Sequence, residues 1–390
     1  MTIEPFRIHV SDEILNDLQY RLHHIRWPDQ LEDASWERGT DLSYLKSLVS
    51  YWRDHYDWRE QESKLNRFSQ FRCNIDEIDV HFVHERGKGP DPLPIILTHG
   101  WPDSYLRYQK IIPLLTDPAS YGGNPEDSFD VIVPSLPGFG FSGHPTHPGV
   151  NNYRVSQMWA KLMTKELGYT KFAAAGGDIG SGVTRYLAAN DPELLFGIHL
   201  TDVGIIRSLM TSQAEAEFSE EERQYKKNAS EWISHEGGYM SIQSTKPQTL
   251  AYGLSDSPVG LAAWIIEKFR AWSDCKGDLN QKYSKDELLT HIMIYWVTNT
   301  IGSSTRMYYE NSHSLPPLGH IEVPTGMAIF PADIVLPPKS WTVRNLNVTR
   351  WTTMPSGGHF TAMEEPELLA SDIRAFYRPI RMKNKPSGEA

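Results

Sequence analysis

The sequence lacks the features that define several classes of protein. It has only two cysteines, Cys73 and Cys275, about half the chain apart, which is too few for a disulfide framework and gives no metal-binding pattern. It contains no run of about 18 apolar residues, as a membrane-spanning helix would need. Residues 1–10 have neither the apolar core nor the small-residue cleavage site of a secretion signal. These absences predict a cytoplasmic protein without a membrane anchor or a metal ion.

Positive charge is also scarce relative to negative charge. The 49 aspartates and glutamates exceed the 38 lysines and arginines, so the formal net charge is -11 with histidine neutral. Nucleic acids bind basic surfaces and are therefore not expected partners. Residues 138–143 match the dinucleotide-binding glycine pattern, but phenylalanines fill its gaps, and Pro145 and Pro148 follow where this pattern needs a helix. No cofactor is expected.

The most informative motif is a glycine-rich turn that carries an aspartate. Residues 171–175 are typical of a short buried strand, Gly176-Gly177-Asp178-Ile179-Gly180 forms a turn, and Ser181 to Asn190 is predicted as a helix. Glycines two positions before and after Asp178 allow the crowded backbone of a nucleophile elbow. A carboxylate nucleophile favours attack on an sp3 carbon, because the product is an ordinary ester that water can cleave. Asp178 is therefore a candidate nucleophile for alkyl transfer.

Further motifs occur in the order that such a site requires. Thr98-His99-Gly100-Trp101-Pro102 follows the apolar run 93–97, and Phe330-Pro331-Ala332-Asp333 supplies an acid late in the chain. Ser356-Gly357-Gly358-His359-Phe360 then places a histidine in a glycine-rich loop. Nucleophile, acid and histidine in this order are typical of the α/β-hydrolase group.

These motifs together resemble the epoxide hydrolases of the microsomal type over nearly the whole chain, and most of all their soluble fungal members. The stretches that carry the resemblance are His99 to Pro102, Gly176 to Ser181, Gly238-Tyr239-Met240, Arg306 to Asn311 and Gly357 to Ala362. The resemblance implies an α/β-hydrolase fold with a helical lid domain and an amino-terminal wrapping segment. It also implies hydrolysis of an epoxide to a vicinal diol through a covalent aspartyl ester. The microsomal enzymes carry a membrane anchor, which this sequence is expected to lack.

The resemblance assigns a role to each residue of a catalytic triad. Asp178 would be the nucleophile, and His359 would activate the water that hydrolyses the ester. Asp333 would orient His359 and stabilise its imidazolium. The rival acids near these motifs are Glu310, Glu364 and Glu365.

Backbone and phenol groups would assist the two chemical steps. The resemblance implies that the N–H groups of Trp101 and Ile179 form the oxyanion hole and that the bond before Pro102 is cis. It places Tyr239 and Tyr308 on the lid above Asp178, with Tyr309 as the adjacent rival of Tyr308. A phenol, with a usual pKa of about 10, can donate a proton to an epoxide oxygen where a carboxylic acid would already be ionised.

The pattern along the chain predicts four segments. They are an amino-terminal extension at 1–90, the first part of the core at 91–204, a helical lid at 205–318 and the second part of the core at 319–390. Ile78 to Glu85 alternates like an antiparallel edge strand. Pro258 to Trp272 is the clearest lid helix because it combines a Ser257 cap with a broad apolar face.

Two other functions share parts of this pattern. Haloalkane dehalogenases have the same aspartate elbow, but they carry a halide-binding tryptophan directly after the nucleophile, where this chain has Ile179. A non-catalytic carrier of hydrophobic ligands is disfavoured because every catalytic position is filled. The expected partners are a small apolar epoxide and water. Styrene-like, terpenoid, lipid and biosynthetic epoxides all fit, and the chain is compatible with a monomer or a homodimer.

Overall fold

The centre of the computed structural model, which describes residues 2–32, 34–204 and 218–384, is a sheet of nine strands. They are β1 Glu4–Phe6, β2 Gln70–Ile75, β3 Ile78–Glu85, β4 Leu93–Thr98, β5 Phe129–Pro134, β6 Phe172–Gly176, β7 Leu195–Leu200, β8 Ile321–Ile329 and β9 Leu346–Thr353. Their order in the sheet is β1-β2-β3-β5-β4-β6-β7-β8-β9. The pairs from β1 to β5 are antiparallel, and all the pairs after them are parallel. This is the α/β-hydrolase fold that the motifs predicted.

Helices connect most of these strands and follow the last of them. They are α1 Asp12–His23, α2 Leu42–Asp54, α3 Trp58–Leu65, α4 Ile111–Thr116, α5 Asn152–Lys161, α6 Ile179–Asn190, α7 Glu220–Glu236, α8 Gly238–Thr245, α9 Pro247–Asp256, α10 Pro258–Trp272, α11 Lys285–Thr298, α12 Ile301–His313, α13 Lys339–Thr342, α14 Thr361–Glu364 and α15 Pro366–Asn384. Within the described residues, none of these helices is both long and apolar enough to cross a membrane.

Strand burial follows position in the sheet. All residues of β5 and β6 are buried, which explains why these strands are mainly apolar. The charged residue among them, Asp130, pairs with Arg86 at 2.8 Å. The predicted strand 78–85 is present as β3, but the prediction that it lies at an edge was wrong. It pairs antiparallel with β2 on one side and with β5 on the other. The edge on this side of the sheet is instead the short strand β1.

The amino-terminal segment lies against the helices that connect β7 to β8. Arg21 of α1 forms an ion pair with Asp256 of α9 at 2.8 Å, and the Thr40 hydroxyl donates to the carbonyl oxygen of Ala263 in α10 at 2.7 Å. These contacts agree with a segment that packs on the lid. The domain boundaries at 90, 204 and 318 stay predictions, and the first lid residues, 205–217, lie outside the described part of the chain.

The candidate residues meet at the carboxyl ends of the parallel strands. The His99 loop follows β4, Asp178 follows β6, Asp333 follows β8 and His359 follows β9. Because these strands are parallel, their carboxyl ends open into one crevice, which is where ligands bind in sheets of this kind.

Candidate active site

Asp178 lies at a sharp turn between β6 and α6. Its φ of 57° and ψ of -126° belong to a region that strains any residue with a side chain. The flanking glycines allow the turn, since a Cβ atom on Gly176 would clash with the Gly180 carbonyl and one on Gly180 would clash with the Thr98 carbonyl. Helix α6 begins at Ile179, two residues earlier than predicted, so the carboxylate lies at the positive end of the helix dipole.

The loop after β4 contacts this carboxylate directly. The Trp101 N–H group donates to Asp178 Oδ1 at 2.8 Å. Gly100 approaches so closely that a Cβ atom there would collide with the Asp178 carboxylate. The bond between Trp101 and Pro102 is cis, as the resemblance implied. Ile179 lines a cavity together with Asp178. The role of its N–H group as a donor in the oxyanion hole stays a prediction.

A buried ion pair connects this loop to the histidine loop. Asp103 accepts the Gly100 N–H at 2.9 Å and a bond from Arg107 Nη1 at 2.7 Å. Arg107 Nη2 donates to the carbonyl oxygen of His359 at 2.6 Å. Burial alone would raise the pKa of Asp103, but Arg107 and His99 hold it well below its usual range. This pair was missed in the sequence, where its only signal is the i,i+4 spacing of opposite charges.

His359 lies between two carboxylates. Its Nδ1 donates to Asp333 Oδ1 at 2.8 Å, and its Nε2 lies 3.6 Å from Asp178 Oδ2. The loop is held in place because the His359 N–H donates to the carbonyl oxygen of Trp272 at 2.7 Å. The three candidate residues of the triad therefore lie together, and the imidazole stands between the two carboxylates. This is the arrangement in which one carboxylate orients the imidazole while the other acts as the nucleophile.

The two carboxylates change the acidity of His359. Burial alone would lower the pKa of the imidazole, but Asp333 and Asp178 outweigh it and raise the pKa to about 10. The imidazole of the resting site is therefore protonated at neutral pH. A reaction that removed the charge of Asp178 would lower this pKa and make Nε2 available as a base.

The rival acids lie elsewhere. Glu364 accepts three backbone N–H groups at or near the histidine loop. Glu365 pairs with Lys282 at 2.6 Å, and Glu310 accepts the Gly149 N–H at 2.8 Å. In the described part of the chain, the carboxylates that lie against the imidazole are those of Asp333 and Asp178, and Glu364 supports the histidine loop.

Tyr239 on α8 and Tyr308 on α12 form an aromatic wall of the site. Their ring centres are 5.9 Å apart. Trp101 stacks on Tyr239 at 5.3 Å with 9° between the planes, and it meets Tyr308 edge-on at 5.7 Å. Burial, with the nearby charge of Asp178 adding to it, raises the pKa of both phenols well above the usual value. Both hydroxyls are therefore protonated and able to donate.

Tyr308 and Tyr309 lie on different faces of helix α12. Tyr308 lines the cavity, whereas Tyr309 is 39% exposed and stacks on His313 outside it. Asn311 fixes the helix to α5, because its Oδ1 accepts the Asn152 N–H at 2.9 Å and its Nδ2 donates to the Asn152 side chain at 3.0 Å. The motif around Arg306 to Asn311 thus combines a pocket residue with its anchor.

Asp202 is a site residue that the sequence analysis missed. It follows β7, its Oδ2 accepts the Asp178 N–H at 2.6 Å, and its Oδ1 accepts the Gly204 N–H at 3.0 Å. Burial, together with the charge of Asp333, raises its pKa to about 6. Its position at the carboxyl end of a parallel strand was the available signal. Asp202 therefore supports the backbone of the strained turn.

Replacing Asp202 by asparagine is expected to stabilise the fold at high pH. The pKa of this carboxyl is raised from 3.8 to about 6. The stability that the neutral carboxyl gives to the fold is therefore fully present below pH 3.8 and lost as pH rises through 6. Asp202→Asn keeps an oxygen for the Asp178 N–H, loses the acceptor of the Gly204 N–H and removes the buried charge. The balance should add roughly 1 to 2 kcal/mol at pH 8. Thermal unfolding followed from pH 4 to pH 8 measures this. A gain that did not change with pH would contradict the assignment.

A cavity of about 350 Å³ joins these residues. The described residues that line it include Asp178, Asp202, Asp333, His359, Tyr239 and Tyr308. The rest of the wall combines polar side chains, among them Asn152, Arg185 and Asn311, with the apolar side chains of Val203, Trp232, Met240, Leu315, Ile334 and Val335. This volume and lining fit a small apolar molecule that meets a few polar groups. A larger cleft of about 1120 Å³ lies between the amino-terminal segment and α10 and contains none of these candidates.

Family models match two parts of the chain. Residues 3–108 match the model described as epoxide hydrolase N terminus. Residues 94–236 match the model of the alpha/beta hydrolase fold.

Individual proteins match nearly the whole chain. A putative epoxide hydrolase of Stigmatella aurantiaca is 44% identical over 382 residues, which is 98% of this chain and 86% of that protein. Epoxide hydrolase 1 of Sus scrofa is 40% identical over 402 residues, which is 96% of this chain and 88% of that protein. Among solved structures, Aspergillus niger epoxide hydrolase superposes with a TM-score of 0.85 at 28% identity, over 97% of each chain. Bombyx mori juvenile hormone epoxide hydrolase also gives 0.85, at 29% identity, over 98% of this chain and 95% of that one.

Proposed function

This chain belongs to the epoxide hydrolase family, and we propose that it converts a small apolar epoxide to a vicinal diol through an ester on Asp178. The observation that carries this mechanism is that the Asp178 carboxylate and two protonated phenols line the same cavity. A carboxylate opens an epoxide readily only if the leaving oxygen receives a proton or strong hydrogen bonds. Tyr239 and Tyr308 supply these donors.

In the first step, an oxygen of Asp178 attacks an epoxide carbon. Since Oδ1 is held by the Trp101 N–H at 2.8 Å, Oδ2 is the attacking atom. The new carbon–oxygen bond forms as the carbon–oxygen bond of the ring breaks. The electron pair of the broken bond moves to the epoxide oxygen, which takes a phenol proton. The result is a hydroxyalkyl ester and a phenolate.

In the second step, His359 activates water. Esterification neutralises Asp178, one of the two anions that raise the pKa of the imidazole to about 10, so the pKa of His359 falls. The imidazolium then gives its Nε2 proton, through water, to the phenolate, which restores the phenol and leaves a neutral imidazole that can act as a base. Water gives it a proton and attacks the ester carbon, while Trp101 donates to the developing oxyanion. The imidazolium protonates the leaving diol oxygen, and the proton of the released carboxylic acid returns to the imidazole, so the resting carboxylate, imidazolium and phenols are restored. Asp333 keeps Nδ1 protonated throughout.

The alternatives explain the site less completely. A dehalogenase releases halide, which needs no proton, so it would have no use for the paired phenols. A passive carrier would gain nothing from a strained carboxylate at a helix amino terminus beside a paired imidazole.

A cytoplasmic location is supported by Cys73 and Cys275, which are both free and buried, as is usual in a reducing compartment.

A single turnover in water enriched in oxygen-18 is expected to give unlabelled diol. The first diol takes its new oxygen from the carboxylate of Asp178, and the label enters that carboxylate when water cleaves the ester. Mass spectrometry of the diol and of the Asp178 peptide measures both. Diol labelled in the first turnover would mean direct attack by water and would exclude the ester.

A further inference from the structure

Lys268 is a buried cation beside the ring of Tyr239. Its side chain is 8% exposed, and Nζ lies 4.9 Å from the centre of the Tyr239 ring and 5.9 Å from that of Trp272. Its partner is the neighbouring Glu267, which is more exposed and borders the outer cleft. Lys268 is not among the described residues that line the active-site cavity. Lys268 can therefore act on the reaction through Tyr239 or through Trp272, and Trp272 holds the His359 loop of the hydrolysis step rather than a phenol.

We propose that Lys268 is a positioning residue that makes Tyr239, rather than Tyr308, the phenol that gives its proton to the epoxide oxygen. The inference rests on the proposed function, in which the Asp178 ester bond forms as the ring oxygen takes one proton. A phenol that loses its proton becomes electron-rich in its ring, so a cation at this distance attracts the ring more strongly in the transition state than before. Lys268 therefore lowers the barrier of the first step.

The two tyrosines differ in their surroundings. In the described part of the chain, the ring contacts of Tyr308 are with the neutral rings of Trp101 and Tyr239. Burial raises the pKa of both phenols, but the contact between their hydroxyls acts in opposite directions, lowering the pKa of Tyr239 and raising that of Tyr308. Tyr308 thus acts as a hydrogen-bond donor that stabilises the phenolate of its neighbour.

Glu267 offers a matched control of opposite sign. Its negative charge raises the pKa of Tyr239, although less than burial and Asp178 do. Removing the cation leaves this anion uncompensated, whereas Glu267→Gln leaves the cation. The proposal predicts slower alkylation from Lys268→Met and equal or faster alkylation from Glu267→Gln.

The test is a double-mutant cycle on the alkylation rate with styrene oxide as the probe. Pre-steady-state alkylation should fall about tenfold in Lys268→Met, recover in Lys268→Arg, and fall equally when Tyr308→Phe is the background. In a Tyr239→Phe background, Lys268→Met should have no further effect, because the ring remains and the acidic hydroxyl does not. Hydrolysis of the ester should keep its rate in all these variants.

Each contrary result has a distinct meaning. An equal loss in the Tyr239→Phe background would show that Lys268 only packs against the ring, and an equal loss in both chemical steps would show a general structural role. Either result would overturn the proposal. If Lys268→Met does not fold, slower alkylation in Glu267→Gln would overturn it as well. Absence of any alkylation in the unsubstituted enzyme would instead count against the proposed function.

Discussion

The His359→Gln enzyme is expected to stop after the first chemical step and to accumulate its ester. Alkylation uses Asp178 and the tyrosines, and the Trp101 N–H still holds Oδ1 at 2.8 Å, so this step should continue. Hydrolysis loses its base and should slow on the order of 10²- to 10⁴-fold. After exposure to styrene oxide, the intact mass should rise by one molecule of the epoxide, and peptide mapping should find the added group on Asp178.

The control for this experiment removes the nucleophile as well. A protein with both His359→Gln and Asp178→Asn should gain no mass, because an amide does not open the ring. A folded His359→Gln protein that stayed inactive and unmodified would show that the imidazolium is needed for the first step. The division of labour between His359 and Asp178 would then be wrong.

Residues whose chemistry and local backbone agree could be predicted from the sequence. Gly176 and Gly180 are needed because the turn leaves no room for side chains, and that need is visible as a spacing around Asp178. His359 stands in a glycine-rich loop for a similar reason, since a Cβ atom on Gly358 would collide with the backbone of Trp272 and Asp274. Close backbone approach leaves a local trace in the sequence, and these parts of the fold and site were found.

Residues that act across the chain left no such trace. Arg107 donates to a carbonyl 252 residues away, and Lys268 reaches Tyr239 on another helix. In the predicted helix 258–272, Lys268 is one polar residue beside an apolar face, and that pattern does not show that it is buried against Tyr239 of another helix. Asp202 had only its position after β7 as a signal, since its partners are backbone N–H groups that no side-chain pattern reveals.

The error about β3 shows a related limit. Alternation of apolar and polar residues reports which face of a strand is buried. It does not report how many strands lie beside it, because backbone hydrogen bonds in the plane of the sheet are the same for every side chain. The antiparallel pairing of β3 was therefore predictable, and its interior position between β2 and β5 was not.

Loss of both tyrosines is expected to abolish epoxide opening while sparing any reaction that needs no proton. In Tyr239→Phe or Tyr308→Phe, one donor remains, and alkylation should slow by about 10- to 10²-fold. In the double variant the alkoxide has no acid, so the loss should reach about 10³-fold or more. Tyr309→Phe is the matched control, because its ring is 39% exposed and stacks on His313, and it should leave the rate unchanged.

A haloalkane measured in parallel decides between the two enzyme functions. Styrene oxide and a terminal bromoalkane of similar size should be compared by pre-steady-state alkylation in the same variants. Halide departs as a stable anion without a proton, so a dehalogenase would tolerate loss of both phenols far better than an epoxide hydrolase would. We expect rapid epoxide opening that depends on Tyr239 and Tyr308, and slow halide release that does not. Fast halide release, with epoxide opening absent or indifferent to both substitutions, would refute the aspartyl-ester mechanism proposed for epoxides.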